Sequence, residues 1–95
     1  MAVAIQMEFD GATREQYDAV IEKMGLKPGG NGPPGALFHW CSVTDDGLYI
    51  TDVWESREVF DKFNEEQIGP YAAEVGIPNP PKMTFYDVHS FIRSH

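Results

Sequence analysis

Two runs of mainly apolar residues lie in the middle of the chain, on either side of an Asp46-Gly47 pair. The runs, residues 37–45 and 48–54, are rich in β-branched and aromatic side chains, which suit the pleated surface of a sheet. Asp-Gly between such runs is typical of a two-residue turn, because glycine adopts positive φ without steric cost. The pattern therefore predicts a β-hairpin. Ser56 follows as a helix N-cap, since its hydroxyl can accept from a backbone N–H of the first helical turn.

One strand and one helix precede the hairpin. Residues 2–9 alternate in polarity with a period of two, which predicts a first strand. Thr13 and Gln16 have the spacing of a capping box, so a helix should begin there and end at Gly25. The apolar positions of this helix follow the i, i+3, i+4, i+7 pattern and form a stripe: Tyr17, Val20, Ile21 and Met24.

A second helix and a last strand follow the hairpin. Gly69-Pro70 should interrupt the helix, because proline has no N–H to donate, and a short helical piece should then end at Gly76. A final strand is expected from Lys82 to about Ile92. The order β-α-β-β-α-β predicts a ferredoxin-like α+β fold, with a four-stranded antiparallel sheet and both helices on one face. Residues 1–95 contain no internal repeat, which indicates a single domain.

The second and fourth strands carry apolar side chains on both faces. In the second strand, His39 and Cys41 alternate with Phe38 and Trp40, so neither set makes a polar surface. Two helices can cover only one face of the sheet. A second copy of the chain is the simplest cover for the other face, and we therefore expect a homodimer.

Residues 27–35, with the sequence KPGGNGPPG, form a loop, because glycine and proline do not propagate a helix or a strand. A phosphate-binding loop would need Lys followed by Ser or Thr at the start of a helix, whereas this segment leads into a strand. Its composition fits either a flap beside a pocket or a surface connection without a role.

Composition narrows the range of partners. The formal charge of −8 would repel a phosphate backbone, so we do not expect nucleic acid binding. No apolar run reaches the roughly 20 residues of a membrane span, and the N-terminal segment lacks the basic region of a signal peptide. Cys41 is the single cysteine and cannot form an internal disulfide. These features predict a cytoplasmic protein without a membrane partner.

Four motifs carry a family resemblance: GATREQYD at 11–18, PGALFH at 34–39, DVWESREVF at 52–60 and VH at 88–89. With them the chain resembles the antibiotic biosynthesis monooxygenase-like superfamily, and within it a group of small actinobacterial-type proteins. The resemblance implies a dimeric α+β barrel with a ligand pocket between the sheet and the helices of each subunit. The superfamily includes cofactor-free monooxygenases that act on polyketide quinols, polyketide cyclases, haem-degrading enzymes and proteins of unassigned role.

His39 and His89 are the leading candidates for catalysis, because imidazole is the natural acid or base near neutral pH. Asp52 is the third candidate, since aspartate is disfavoured in the middle of a strand and a carboxylate there suggests a specific role. The alternative is that the histidines are partly buried and structural, and that Asp52 bonds to the backbone or to the Trp40 indole.

The hairpin register decides whether two of these candidates meet. A two-residue turn at Asp46-Gly47 would place Cys41 opposite Asp52 and His39 opposite Trp54, with His39 and Asp52 as diagonal neighbours. A three-residue turn would move His39 and Asp52 to opposite faces of the sheet.

Aromatic residues near these candidates could wall a pocket for a flat ligand. The predicted ligand contacts are Phe38, Trp40, Trp54 and Tyr86, although core or interface packing would explain most of them equally well. A metal site is not expected, because it would require the fold to bring both histidines and the carboxylate together. Cys41 is more typical of an inert buried thiol than of a nucleophile.

The leading interpretation is a small enzyme that acts on an aromatic or polyketide-like molecule without a tightly bound cofactor, with a histidine as the base. The resulting carbanion or phenolate would react with oxygen in a monooxygenase, or attack an internal carbonyl in a cyclase. Two alternatives are a non-catalytic ligand-binding or stress-response protein, and a protein that binds haem through one histidine.

Overall fold

The computed structural model describes residues 1–92, which form a four-stranded sheet and three α-helices. The elements are β1 (Val3–Asp10), α1 (Arg14–Lys23), β2 (Ala36–Thr44), β3 (Gly47–Trp54), α2 (Arg57–Phe63), a π-helical turn (Asn64–Ile68), α3 (Gly69–Val75) and β4 (Lys82–Asp87). The sheet order is β2-β3-β1-β4, and neighbouring strands are antiparallel. The predicted ferredoxin-like α+β fold is confirmed.

The hairpin turn lies one residue earlier than predicted. Thr44 pairs with Gly47, so the loop consists of Asp45 and Asp46. Gly47 is instead the first residue of β3, where a Cβ atom would lie 1.9 Å from the carbonyl oxygen of Phe9. Glycine is therefore required at this position by the close approach of β1, and the predicted Asp46-Gly47 turn is wrong.

The register of the hairpin is also shifted from the predicted one. His39 pairs directly with Asp52, and Cys41 pairs with Ile50. The predicted pairs of Cys41 with Asp52 and of His39 with Trp54 are wrong. Because side chains alternate with a period of two, the shift keeps His39 and Asp52 on one face and makes them direct cross-strand neighbours.

The first helix begins at the predicted capping box. The Thr13 hydroxyl accepts from the Gln16 backbone N–H at 3.1 Å, and the Gln16 side-chain oxygen accepts from the Thr13 N–H at 2.9 Å. At the other end of α1, Lys23 forms an ion pair of 2.8 Å with Glu74 of α3. The two helices are thus linked on the solvent side, above the sheet.

A π-helical turn joins α2 to α3 where the sequence predicted an interruption. Within it the Gly69 N–H bonds to the carbonyl oxygen of Asn64, five residues earlier. In a regular helix the ring of Pro70 would clash with the carbonyl of Glu66, and the wider turn avoids that contact. Helix α3 ends at Gly76 with φ 89°, as predicted. In the part of the chain that is described, no helix is long and apolar enough to span a membrane.

The last strand is shorter than predicted, because β4 ends at Asp87 and not near Ile92. The Val88 N–H still donates to the Ala2 carbonyl oxygen at 3.0 Å, but the following residues leave the sheet. Phe91 then contacts the Phe38 ring, with 6.3 Å between the ring centroids. His89 is therefore not a strand residue.

The sheet has two faces of different character. The inner face, which packs against the helices, contributes most of the core: Val3, Ile5, Met7, Phe9, Leu48, Ile50 and Trp54. On the outer face, Phe38, Trp40 and Tyr86 are 51%, 41% and 53% exposed. Apolar residues therefore lie on both faces, but only the inner face is covered by helices.

Candidate active site

A cavity of about 630 Å³ lies between the inner face and the helices. Its walls are largely apolar and include Met7, Phe9, Val20, Ile21, Met24, Leu48, Ile50, Phe63 and Ile68. The glycine- and proline-rich loop contributes residues 27–33 to one side. This loop is therefore a wall of the cavity.

His39 and Asp52 meet at this cavity. The His39 Nδ1 lies 2.5 Å from the Asp52 Oδ1, as expected for direct cross-strand partners. The His39 side chain is 38% exposed, whereas that of Asp52 is 7% exposed. A carboxylate with so little access to water needs hydrogen-bond donors within the protein.

Trp54 supplies a second donor to this carboxylate. Its indole N–H donates to the Asp52 Oδ2 at 3.1 Å, so each carboxylate oxygen has a partner. The Trp54 ring is itself held by Phe60 and Phe63, at centroid distances of 5.7 and 5.1 Å. Core packing of the ring thereby fixes the orientation of Asp52.

Tyr17 completes the network from the opposite side of the cavity. Its hydroxyl lies 2.5 Å from the His39 Nε2, and the two rings are parallel at a centroid distance of 6.0 Å. Sequence reasoning placed Tyr17 only in the apolar stripe of α1. The available signal was its hydroxyl, the one polar group in that stripe, because a buried tyrosine O–H usually finds a partner.

The hydrogen bonds define a direction for proton transfer. An ionised Asp52 can only accept, so the His39 Nδ1 carries a proton and donates it to the carboxylate. In the neutral ring the Nε2 then has a free lone pair, which accepts from the Tyr17 O–H. A second proton taken up at Nε2 would convert His39 to an imidazolium beside the Asp52 carboxylate.

Burial and nearby carboxylates raise the pKa values of two other groups of the cavity, Cys41 and Tyr17. Burial, followed by the charge of Asp18 and then of Asp52, raises the pKa of the Cys41 thiol to about 11. The pKa of Tyr17 is also raised, chiefly by burial and further by Cys41, Asp52 and Asp18. Both groups therefore keep their protons at neutral pH, so Tyr17 is a hydrogen-bond donor and Cys41 is a neutral thiol.

Two of the predicted site residues lie away from this cavity. His89 follows the end of β4 and is exposed, and Tyr86 has its side chain on the outer face. Neither residue lines the cavity. The structure thus brings His39 and Asp52 together but does not add His89 or Tyr86 to them. Strand β4 ends before His89 and lies at the opposite edge of the sheet from β2, and the Tyr86 side chain is on the outer face.

The remaining aromatic candidates have mixed positions. Phe38, Trp40 and Trp54 all border the cavity. The rings of Phe38 and Trp40 lie on the outer face of the sheet, where Phe38 contacts Phe91 and Trp40 contacts Tyr49. Trp54 is only 2% exposed, so its main contacts are with the core and with Asp52.

The donor atoms do not cluster in the manner of a metal site. Among residues 1–92, no group of three or more His, Cys, Asp or Glu side chains is close enough to hold a metal ion. The two histidines and the carboxylate considered from the sequence do not converge, since His89 lies outside the cavity.

The sequence matches no family model and no curated protein. Solved structures do match over nearly the whole chain. Rv0793 from Mycobacterium tuberculosis has a TM-score of 0.67 at 19% identity, and the match covers 98% of this chain and all of that one (100%). The ActVA-Orf6 monooxygenase of Streptomyces coelicolor, solved with nanaomycin D, has a TM-score of 0.59 at 18% identity, with 99% and 92% covered.

The chain has the fold of the antibiotic biosynthesis monooxygenases. SnoaB, a cofactor-independent oxygenase from Streptomyces nogalater, shares this fold with a TM-score of 0.59 and 13% identity, over 98% of this chain and 97% of SnoaB. The resemblance inferred from the four sequence motifs is confirmed at the level of fold. Membership of the actinobacterial-type group stays a prediction.

Proposed function

We propose that this protein is a small-molecule enzyme in which His39 is a general base and oxygen is the co-substrate. The observation that carries the proposal is the chain of hydrogen bonds from Trp54 through Asp52 and His39 to Tyr17, which ends in an apolar cavity. A base that is oriented by a carboxylate and linked through a tyrosine hydroxyl to an apolar cavity suits proton abstraction.

The first step is removal of a proton from the substrate. The substrate O–H or C–H gives its proton to the Tyr17 oxygen while Tyr17 passes its own proton to the His39 Nε2, or His39 accepts the proton directly once Tyr17 has moved aside. In either case the proton ends on Nε2. The imidazolium is then stabilised by the adjacent Asp52 carboxylate, and the substrate becomes an electron-rich carbanion or phenolate.

Oxygen then reacts with this anion. For a methylene carbon, two hydrogens leave and one oxygen atom is added as a carbonyl, while the other oxygen atom leaves as water. The substrate supplies all four electrons that reduce the oxygen molecule, so no separate reductant is needed. A flat aromatic or polyketide-like compound suits the step, because its extended π-system delocalises the charge of the anion.

The structural neighbours support this reaction class. One is described as a monooxygenase solved with nanaomycin D, and another as a cofactor-independent oxygenase. For this chain, we extend both properties as part of the proposal: an aromatic substrate and a reaction without a tightly bound cofactor. An intramolecular attack of the same anion on a carbonyl, as in a cyclase, would use the same base.

One observation favours a non-catalytic role as the second candidate. Both ring nitrogens of His39 already have partners within the chain, Asp52 and Tyr17, as a structural histidine would. The protein would then bind a ligand without changing it. Haem fits the described residues poorly, because iron would have to displace Tyr17 from Nε2 and His89 lies outside the cavity.

The proposed enzyme is a cytoplasmic homodimer joined through the outer face. Exposed rings of Phe38, Trp40 and Tyr86 offer the apolar surface that such an interface would bury. The buried Thr51 hydroxyl, on the same face, has no hydrogen-bond partner within residues 1–92. A second chain would supply cover for the rings and a possible partner for this hydroxyl.

The experiment that tests the proposed reaction measures oxygen uptake with a panel of anthrone-, naphthol- and hydroquinone-type compounds. We expect at least one compound to consume one oxygen molecule per oxygen atom incorporated into the product, at a rate well above the uncatalysed rate, after treatment of the protein with a chelator. Binding of several compounds without faster oxygen uptake or cyclised product would reject the enzyme and support the binding protein.

A further inference from the structure

The charged groups around the cavity are mostly negative. Two carboxylates, Asp18 and Asp52, are among the residues that line it. Of the described lining residues, only Lys27 carries a permanent positive charge. Lys27 and Asp18 are both exposed, whereas Asp52 is buried, so Asp52 is the charge least screened by water. The walls that the sheet and the helices contribute are largely apolar, and they carry no cation that would neutralise an anionic ligand.

The charge of Asp52 is not cancelled by a permanent cation. Its partners are the His39 ring and the Trp54 indole N–H, and no lysine or arginine forms an ion pair with it among residues 1–92. With His39 neutral, the network keeps a net negative charge on the buried Asp52 carboxylate. The pKa values of Cys41 and Tyr17 reflect this negative charge. Burial raises both pKa values most, and the charges of Asp18 and Asp52 raise them further.

We infer that the cavity admits uncharged ligands and rejects anions, so that its substrate enters as a neutral phenol, enol or carbon acid. This inference rests on the proposed function for the identity of the site. A ligand with a carboxylate or phosphate would lose its hydration and face Asp52 and Asp18 without a cation inside the cavity. A neutral substrate meets no such barrier.

The same arrangement explains how a negative charge can form later. When the proton of the neutral substrate reaches the His39 Nε2, the imidazolium and the Asp52 carboxylate cancel each other. The new substrate anion then lies beside a cation that was absent when the ligand entered. An anion made within the cavity thus has the His39 imidazolium beside it, whereas an anion that arrives from solution gains the same partner only if His39 takes up a proton as well.

The test compares two flat probes of nearly equal shape, neutral 2-naphthamide and anionic 2-naphthoate. Binding is measured at pH 7.5 and low ionic strength by quenching of tryptophan fluorescence, since Trp54 borders the cavity. We expect the amide to bind at least tenfold more tightly. Asp18→Asn should improve binding of the naphthoate at least threefold and leave the amide unchanged, because it removes one carboxylate from the cavity edge.

Lys27→Gln is the matched control for a charge at the cavity edge, because Lys27 is exposed as Asp18 is. It should weaken naphthoate binding by a factor similar to the gain from Asp18→Asn, and it should leave the amide unchanged. Equal or tighter binding of the naphthoate by the parent protein would overturn the inference. So would a preference for the amide that neither Asp18→Asn nor added salt reduces. Binding of neither probe would overturn the assignment of a flat ligand to this cavity.

These outcomes are independent of turnover. If the amide is preferred as expected but no compound accelerates oxygen uptake, charge selection stands and the oxygenase proposal fails. If oxygen uptake is catalysed but the naphthoate binds equally well, the oxygenase proposal stands and charge selection fails.

Discussion

On the inner face of the sheet, the buried Asp52 bonds to His39 and Trp54 beside an apolar cavity. On the outer face, the rings of Trp40 and Tyr86 are about half exposed, and helices do not cover them. Both faces are apolar in sequence, so hydrophobicity alone does not distinguish a ligand cavity from a contact surface. The difference lies in the buried carboxylate, which needs organised donors and thereby orients a base.

The comparison is tested most directly by changing one histidine that lines the cavity and one that lies outside it. His39→Gln should lower kcat/KM roughly 10²–10⁴-fold, because it removes the proton acceptor of the network. His89→Gln is the matched control, since His89 is exposed and lies outside the cavity, and its rate should equal that of the parent. Steady-state oxygen uptake measures both, with circular dichroism to verify folding.

A parental rate for His39→Gln would show that the histidine is structural. A loss in His89→Gln as large as that in His39→Gln would contradict the assignment of the active site to the inner face alone.

The second prediction concerns the support beneath Asp52. Trp54→Ala should lower the free energy of unfolding by roughly 3–5 kcal/mol, because it empties a large aromatic site between the sheet and α2. Trp54→Phe keeps most of the packing but loses the indole donor, so it should cost about 1–3 kcal/mol. Urea denaturation of the two variants separates the contribution of ring packing from that of the hydrogen bond. A loss below about 1 kcal/mol for the alanine variant would contradict the buried position of Trp54.

The third prediction uses Cys41 as a reporter of the inner face. The pKa of Cys41 is about 11, against an ordinary value of 9.0, so at pH 8 the folded chain has roughly a hundredth of the thiolate that the unfolded chain has. Iodoacetamide should therefore react about a hundredfold more slowly with the folded chain than with the urea-unfolded chain. The folded thiol holds its proton more tightly than the unfolded one, so this group should lower the free energy of unfolding as pH rises from 9 towards 11. Equal alkylation rates for folded and unfolded protein would contradict the burial of Cys41.

The smallest expected change, a factor of two in mass, tests the outer face. Sedimentation at micromolar concentration should give twice the 10.7 kDa of one chain. Tyr86→Glu should shift the mass towards one chain, because a charge would enter the apolar interface. Ala73→Glu places the same charge on an exposed position of α3 and should leave the mass unchanged. A parent mass near 10.7 kDa would count against the homodimer.

The order of strands and helices could be predicted because its signals are local. Periodicity identified the elements, and the Thr13–Gln16 capping box marked the start of α1 correctly. The hairpin turn was misplaced by one residue, because the close approach of β1 to Gly47 is a contact between distant parts of the chain. The error moves the register by one residue on each strand, which leaves the faces of the two strands unchanged relative to each other. His39 and Asp52 were therefore still assigned to one face.

The composition of the site was less predictable, since it depends on contacts that no local pattern encodes. Tyr17 reaches His39 only because α1 packs over β2, and its place in a helical stripe gave no sign of that partner. In the sequence, His89 is comparable to His39, because both are histidines within predicted strands. Termination of β4 at Asp87 removes it from the sheet, and the alternation of apolar residues beyond that point did not reveal the end.

Pro70 has a consequence for protein engineering. Proline within a helix is unfavourable, so replacing Pro70, which follows the turn from Asn64 to Ile68, with alanine would be a natural choice for greater heat tolerance. Here the widened turn also sets the relative directions of Ile68 and Ala72, which both line the cavity. Closing it to regular α geometry would rotate these two side chains relative to each other and reshape one end of the ligand space. A more heat-tolerant variant made in this way would therefore have altered selectivity, so thermal robustness and ligand fit compete at this single residue.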